Sequence, residues 1–250
     1  MKGCKELTEN ASLFQHQLEQ LAREEGADLF GVADLMQARS FIREQGGDYA
    51  CKFGRAISVG IRLSDAIVDD LHKHNDTRVI LAYDELYTRV NSHLDQISST
   101  IANRILLEGY HACAVAASDM VDSDRLTGLI SHKLVANLAG LGWIGKSCLL
   151  ITPSYGPRVR FSSILTDAPL EVGTVTDSNC NGCTQCLEIC PVNAFTGASF
   201  DPSEPREARF HAHLCDAYMT KRQTAFGRQG LCGLCVYVCP HGRLHPDVVR

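Results

Sequence analysis

The chain has 250 residues, 45% of them hydrophobic and 21% charged, with a formal net charge of −5. This is a globular composition, long enough for one large domain or a large domain beside a small one. A weakly acidic chain without a Lys/Arg run is not built to grip nucleic acid by charge alone, and there is no apolar run of the roughly 18 residues that a membrane span needs.

The first ten residues, "MKGCKELTEN", contain neither an apolar signal core nor twin arginines, so a cytoplasmic location is expected. Residues 11–25 place Phe14, Leu18 and Leu21 on one helical face and end at Gly26. "DLFGVADL" and "AISVGIRL" read as short buried strands. The clearest helix covers 84–108, where Tyr87, Val90, Leu94, Ile97, Ile101 and Ile105 recur at three- and four-residue steps before Gly109. "HACAVAAS" follows as a strand and "ISHKLVANLAG" as a helix. Cys113 and Cys148 fall in apolar strand-like runs and are expected to be buried core thiols. Arg158 and Arg160 alternate along a strand, on one face, as an anion site or a solvated sheet face would require. Strand and helix alternate throughout this part, which implies an α/β layer structure. Residues 167–179 are rich in Pro, Gly and small polar residues, and the domain boundary is expected there.

Gly140, Gly145, Lys146 and Ser147 satisfy the phosphate-binding pattern G-x-x-x-x-G-K-[ST]. A P-loop needs a strand before it and a helix after it, so that the helix N-terminus meets the phosphates. Here a helical pattern precedes the loop and the strand-like run "CLLITPSYGP" follows. The glycines are therefore expected to allow a tight helix-to-strand turn.

Twelve cysteines without an export signal point to metal or cluster ligation rather than disulfides. Residues 180–191, "CNGCTQCLEICP", place Cys180, Cys183, Cys186 and Cys190 at the spacing C-x2-C-x2-C-x3-C-P. Residues 232–240, "CGLCVYVCP", add Cys232, Cys235 and Cys239, and Cys215 lies upstream. Two-residue gaps let thiolates converge on one cubane, while the Cys before Pro leaves the loop for the other cluster. The expected wiring is crossed. Cys180, Cys183, Cys186 and Cys239 hold one [4Fe–4S] cluster, and Cys190, Cys215, Cys232 and Cys235 hold the second, with Cys215 assigned by counting. Two Cys4 zinc sites are the alternative. Cys4 and Cys51 carry no assignment. His132 and Lys133 open the helix before the glycine loop, facing solvent or an anionic cofactor tail. "HAH" at 211–213, His241 and His245 are further candidates for contact with a cluster or cofactor.

The stretch "AGLGWIGKSCLLITPSYGPRVRFSSILTDAPL", followed by the paired cysteine motifs, resembles the epoxyqueuosine reductase family, itself related to corrinoid-dependent reductive dehalogenases. The resemblance implies an α+β/α/β fold: a nitroreductase-like domain over 1–170 that holds cobalamin and substrate, and a ferredoxin-like domain over 171–250 with two [4Fe–4S] clusters. It implies an iron–sulfur oxidoreductase fed by an external donor of ferredoxin or flavodoxin type. It places cofactor contacts at Gly140, Gly142, Trp143, Gly145 and Lys146. In the family a carboxylate of a V-D-[ST]-x-P-like stretch supplies a proton. Val121, Asp122 and Ser123 match its start, without the proline, which makes Asp122 the candidate catalytic residue, with Asp124 beside it. The family's C-terminal helical repeats, which help to bind tRNA, are not seen in the ten residues after Pro240, so tRNA is not an expected partner. The alternative is an electron-transfer or activating partner without substrate chemistry of its own.

Overall fold

The computed structural model describes residues 2–227 and 229–243, with side chains from Ala11 onward. In chain order the elements are α1 (Lys2–Glu24), β1 (Leu29–Asp34), α2 (Arg39–Ala50), β2 (Arg55–Arg62), α3 (Asp65–Asp69), α4 (Thr77–Leu107), β3 (Ala112–Val115), α5 (His132–Leu138), β4 (Trp143–Ile144), β5 (Leu150–Ile151), β6 (Val159–Thr166), α6 (Gln185–Glu188), α7 (Ala212–Phe226) and α8 (Leu234–Val238). They group into two compact units. The first comprises residues 1–61, 91–141 and 160–176; the second comprises 62–90, 142–159 and 177–250. The expected division at 170 was sequential. The observed one returns twice to earlier chain, and only its last boundary, after Thr176, falls in the expected linker.

The first unit is built on a four-stranded sheet in the order β1-β2-β6-β3. β1 runs antiparallel to β2, with Leu29 opposite Gly60, and β3 runs antiparallel to β6, with Ala112 opposite Thr166. The apolar stripe of α4 packs on this sheet: Leu94, Ile97, Ile101 and Ile105 are fully buried. Ser98 Oγ on that helix lies 2.5 Å from Ser162 Oγ of β6, so the two buried hydroxyls satisfy each other. α5 packs on β1. A Cβ on Gly31 would stand 3.1 Å from the Ala139 carbonyl oxygen, so the missing side chain is what lets helix and strand close up.

α4 begins at Thr77, seven residues earlier than expected, where Asp76 Oδ1 accepts the Arg78 backbone N–H at 2.9 Å and caps the first turn. α2 has no sequence signal. It contains Gly46 and Gly47, and Gly47 sits at φ +62°, outside helical geometry. Cys113 is half-buried rather than core, and Cys148 is buried but lies in the β4–β5 turn at φ +52°, not in a strand.

The second unit carries α3, the first turns of α4, the β4–β5 hairpin and the cysteine-rich helices. Arg158 holds its earlier segments together. Nearly fully buried, it donates from Nη1 to Asp65 at 2.9 Å and from Nη2 to Asp69 at 2.6 Å. The expected anion site or solvated face at Arg158 and Arg160 is thus replaced by protein partners. Arg160, in the first unit, donates from Nε to Asn91 Oδ1 at 3.0 Å and from Nη2 to the Ala117 carbonyl at 3.0 Å. Among the described residues no helix is long and apolar enough to cross a membrane.

Candidate metal centre

The cysteine motifs fold as short loops and short helices of the second unit. Cys183 N–H donates to the Cys180 carbonyl at 2.9 Å, which curls the first loop so that two thiols point the same way. α6 then carries Cys186 one turn on, and Cys190 follows the helix end. In the second motif α8 carries Cys235, and α6 and α8 pack on each other. Cys239 ends α8 in an extended conformation, at φ −60° and ψ 126°, as the residue before a proline must. Its side chain is thereby sent away from its own motif.

Cys180, Cys183, Cys186 and Cys239 line one cavity, together with Lys146, Ser147, Ile151, Gln185, Pro240 and His241. Burial, reinforced by Cys180, Cys183 and Cys239, pushes the Cys186 thiol up to about 11. Burial, with Cys180 and Cys183 adding to it, pushes Cys239 up to about 11 as well. The other four thiols influence one another in the same way. Cys215 is pushed up to about 11 by burial and by Cys232 and Cys190. Cys235 is raised by burial, then by Cys232, Cys215 and Cys190, and last and least by Cys186 of the first group. The structure therefore brings the eight thiols together in two groups, each drawing members from both motifs. Thiols held this far up are protonated at neutral pH, so binding metal expels protons.

Among the described residues no three His, Cys, Asp or Glu side chains are gathered tightly enough for one metal ion. A tetrahedral zinc site with Zn–S near 2.3 Å would pull its sulfurs to about 4 Å of one another. A cubane takes one thiolate at each of four separate irons, so its ligands stand around a space instead. The first group, arranged around a cavity, fits the cluster.

Residues far from the motifs position the second group. Asp84 is buried in α4, and its two carboxylate oxygens accept the Gly230 and Leu231 backbone N–H groups at 3.0 and 3.1 Å. Arg222 on α7 donates from Nε to the Gly230 carbonyl at 3.2 Å. Burial raises the Cys232 thiol, and the Arg222 charge works against that rise. Gly233 stands at φ +68°, and a Cβ there would meet Leu71 and Tyr83 at 2.7 Å. Nothing local in the sequence marks Asp84 or Arg222, because their partners lie in a distant loop.

The glycine-loop residues separate. Gly140, in the first unit, allows close approach of the Thr174 carbonyl: a Cβ would lie 2.6 Å from it. Gly142 and Trp143 lie in the second unit, where a Cβ on Gly142 would collide with the Ile151 backbone. Trp143 is buried with its indole N–H unpaired among the described residues, and stacks edge-on against His241 at 5.1 Å. Gly145 and Lys146 belong to the first thiol group. A Cβ on Gly145 would stand 3.2 Å from Cys180 Sγ, and Lys146 Nζ donates to the Asn181 and Cys183 carbonyls at 2.7 and 3.2 Å. The order is helix, turn, hairpin, the reverse of a P-loop.

Asp122 is half-buried in a turn of the first unit. Its Oδ1 accepts the Arg125 backbone N–H at 2.9 Å, and its backbone pairs with Thr127. His132 faces inward rather than to solvent: Nε2 donates to the Ala116 carbonyl at 3.0 Å, and Nδ1 accepts from Ser163 Oγ at 2.8 Å. Of the other histidines, His241 lines the first thiol cavity, while His211 and His213 line an open depression with Glu207. Cys51 is buried. The Cys4 side chain and His245 lie outside the described residues.

Residues 179–242 match the family model described as a 4Fe-4S double cluster binding domain. The chain is similar to the epoxyqueuosine reductase of Listeria monocytogenes, at 34% identity over 140 residues, covering 52% of this chain and 34% of that protein. Thus the match spans about a third of the relative's length. Among solved structures, an epoxyqueuosine reductase with an epoxyqueuosine-modified tRNA-Tyr stem loop has the same fold at TM-score 0.55 and 20% identity, over 93% of this chain and 68% of that one. A reductive dehalogenase whose structure suggests a mechanism for B12-dependent dehalogenation is similar at TM-score 0.64 and 18% identity, over 91% of this chain and 31% of that one. These likenesses show a mixed α/β fold joined to a double-cluster domain.

Proposed function

We propose that the protein is an iron–sulfur oxidoreductase that passes electrons from an external ferredoxin- or flavodoxin-type donor through two [4Fe–4S] clusters to a corrinoid or similar cofactor, for reduction of a substrate. The observation that carries this reading is the sorting of eight thiols into two mixed groups. Cys180, Cys183, Cys186 and Cys239 hold the first cluster; Cys190, Cys215, Cys232 and Cys235 hold the second. The clusters supply one-electron steps. The chain's own work is to shape their sites. Gly145 leaves room for Cys180 Sγ, and Lys146 grips the carbonyls of the Cys180–Cys183 loop. The sheet-bearing unit is the nitroreductase-like cofactor domain in this reading, supported by the likeness to a B12-dependent dehalogenase. Asp122 is its proton donor, held in a turn by the Arg125 N–H. With a net charge of −5, the chain is expected to bind an isolated tRNA stem loop only weakly at physiological salt.

The test is anaerobic reconstitution with iron and sulfide, followed by cobalamin and a low-potential reductant. The reading expects the corrinoid spectrum to change when protein is added, and Asp122→Asn to slow product formation without altering that change. An unaltered corrinoid spectrum in the presence of two reducible clusters overturns the corrinoid assignment.

A further inference from the structure

Arg222 is 95% buried, yet among the described residues no carboxylate forms an ion pair with it. Its hydrogen bonds go to backbone: Nη2 donates to the His74 carbonyl at 2.7 Å, and Nε to the Gly230 carbonyl at 3.2 Å. The guanidinium lies over the rings of Tyr218 and Phe226, 5.7 and 5.4 Å from their centroids. Asp84 of α4, the acid that holds the same loop, spends both oxygens on the Gly230 and Leu231 N–H groups. Carbonyls and rings soften the burial of a cation but do not neutralise it, and buried arginines are ordinarily paired with an acid. Among the described residues Arg222 therefore lacks a carboxylate counter-charge.

The Gly230 carbonyl it grips is two residues before Cys232. A [4Fe–4S] cluster with four thiolates is a buried anion, and one more negative charge enters it on reduction. A fixed cation beside it favours that reduced form, since Coulomb attraction is strong where water is excluded. We propose that Arg222 is the counter-charge of the cluster held by Cys190, Cys215, Cys232 and Cys235, a positioning residue that biases this cluster toward its reduced state. The proposal rests on the two-cluster reading above.

The test is a redox titration of the reconstituted protein, followed by electron paramagnetic resonance, with dithionite as the electron source. The second cluster's signal is identified by its loss in Cys215→Ser. In Arg222→Gln, which keeps donors but removes the charge, the second cluster should hold about tenfold less of its reduced form at a fixed potential. That corresponds to a midpoint about 59 mV lower for a one-electron couple. The first cluster should be unchanged, and Arg222→Lys should stay near the wild type. An Arg222→Gln protein with both clusters present and both midpoints unchanged overturns the proposal and leaves Arg222 a tether for His74 and Gly230. Where Arg222→Gln fails to keep the second cluster, Arg222→Lys decides. Retention at the wild-type midpoint supports the charge; loss shows that the fork geometry matters and not the charge. A wild-type chain without two reducible clusters sinks the two-cluster reading itself, an outcome distinct from all of these.

Discussion

His132 should make the first unit sensitive to mild acid. Burial, aided by the charge of Arg160, pulls its pKa from 6.5 down to about 4 against the opposing pull of the Ala116 carbonyl and Asp119. Its Nε2 donates to that carbonyl, which leaves Nδ1 of the neutral ring to accept from Ser163 Oγ. The unfolded chain takes up the proton near pH 6.5 and the folded chain only near pH 4, so acid favours unfolding. The contribution is fully present above about pH 6.5 and is lost as the pH falls towards 4. The gap of 2.5 (6.5 − 4) corresponds to about 3 kcal/mol at about 1.4 kcal/mol per pH unit, of which roughly 2 kcal/mol is lost by pH 5. The residue as a whole is half-buried, so water screens part of the penalty, and about 1–2 kcal/mol at pH 5 is the expected loss. His132→Gln offers the same carbonyl a donor and the same hydroxyl an acceptor without titrating. Urea unfolding followed by far-ultraviolet circular dichroism at pH 7.5 and pH 5 compares the two proteins. The wild type should lose more stability than His132→Gln by that amount. Equal losses in the two proteins would refute the reasoning.

Two further outcomes follow from the second unit. Gly145→Ala places a Cβ 3.2 Å from Cys180 Sγ and 2.8 Å from Ile151 Cγ1. The first cluster should assemble incompletely while the second is spared, read as a drop in iron content with one paramagnetic signal retained; full occupancy of both would count against the packing argument. Arg158→Met leaves Asp69 without its buried partner and Asp65 with Arg62 alone. Breaking such a pair costs about 3–5 kcal/mol when both ends are buried; because Asp69 is exposed, about 2–3 kcal/mol is expected in urea unfolding. A loss under about 1 kcal/mol would show that the pair is not what fastens α3.

What the sequence disclosed depended on the range of the interactions involved. The core of α4 was legible because Leu94, Ile97, Ile101 and Ile105 repeat at helical spacing and are all fully buried. Its first turns were not, because Val79, Ile80, Leu81, Ala82 and Tyr83 form an unbroken apolar run without helical spacing, and the helix start rests on Asp76. The crossed grouping of the cysteines is an expectation from the sequence, because the proline after Cys190 and Cys239 biases each towards an extended exit, the conformation Cys239 has. The alternation of Arg158 and Arg160 was visible, but their partners were not: Asp65, Asp69 and Asn91 are brought in from segments 69–93 residues away. For the same reason no local pattern showed that residues 62–90 and 142–159 join the cysteine-rich unit. Asp84 and Arg222 act on Gly230, which sits in the loop leading to Cys232, and only the folded chain reveals them.

The central claim is the crossed pair of clusters. It is tested most directly by iron content and electron paramagnetic resonance of anaerobically reconstituted wild type, Cys239→Ser and Cys190→Ser. The account predicts about eight irons for the wild type, four for each cluster. Cys239→Ser should lose the signal that is also lost in Cys180→Ser, and Cys190→Ser the signal that is also lost in Cys215→Ser. Loss of the Cys232–Cys235 signal in Cys239→Ser, with the Cys180–Cys186 signal intact, would contradict it.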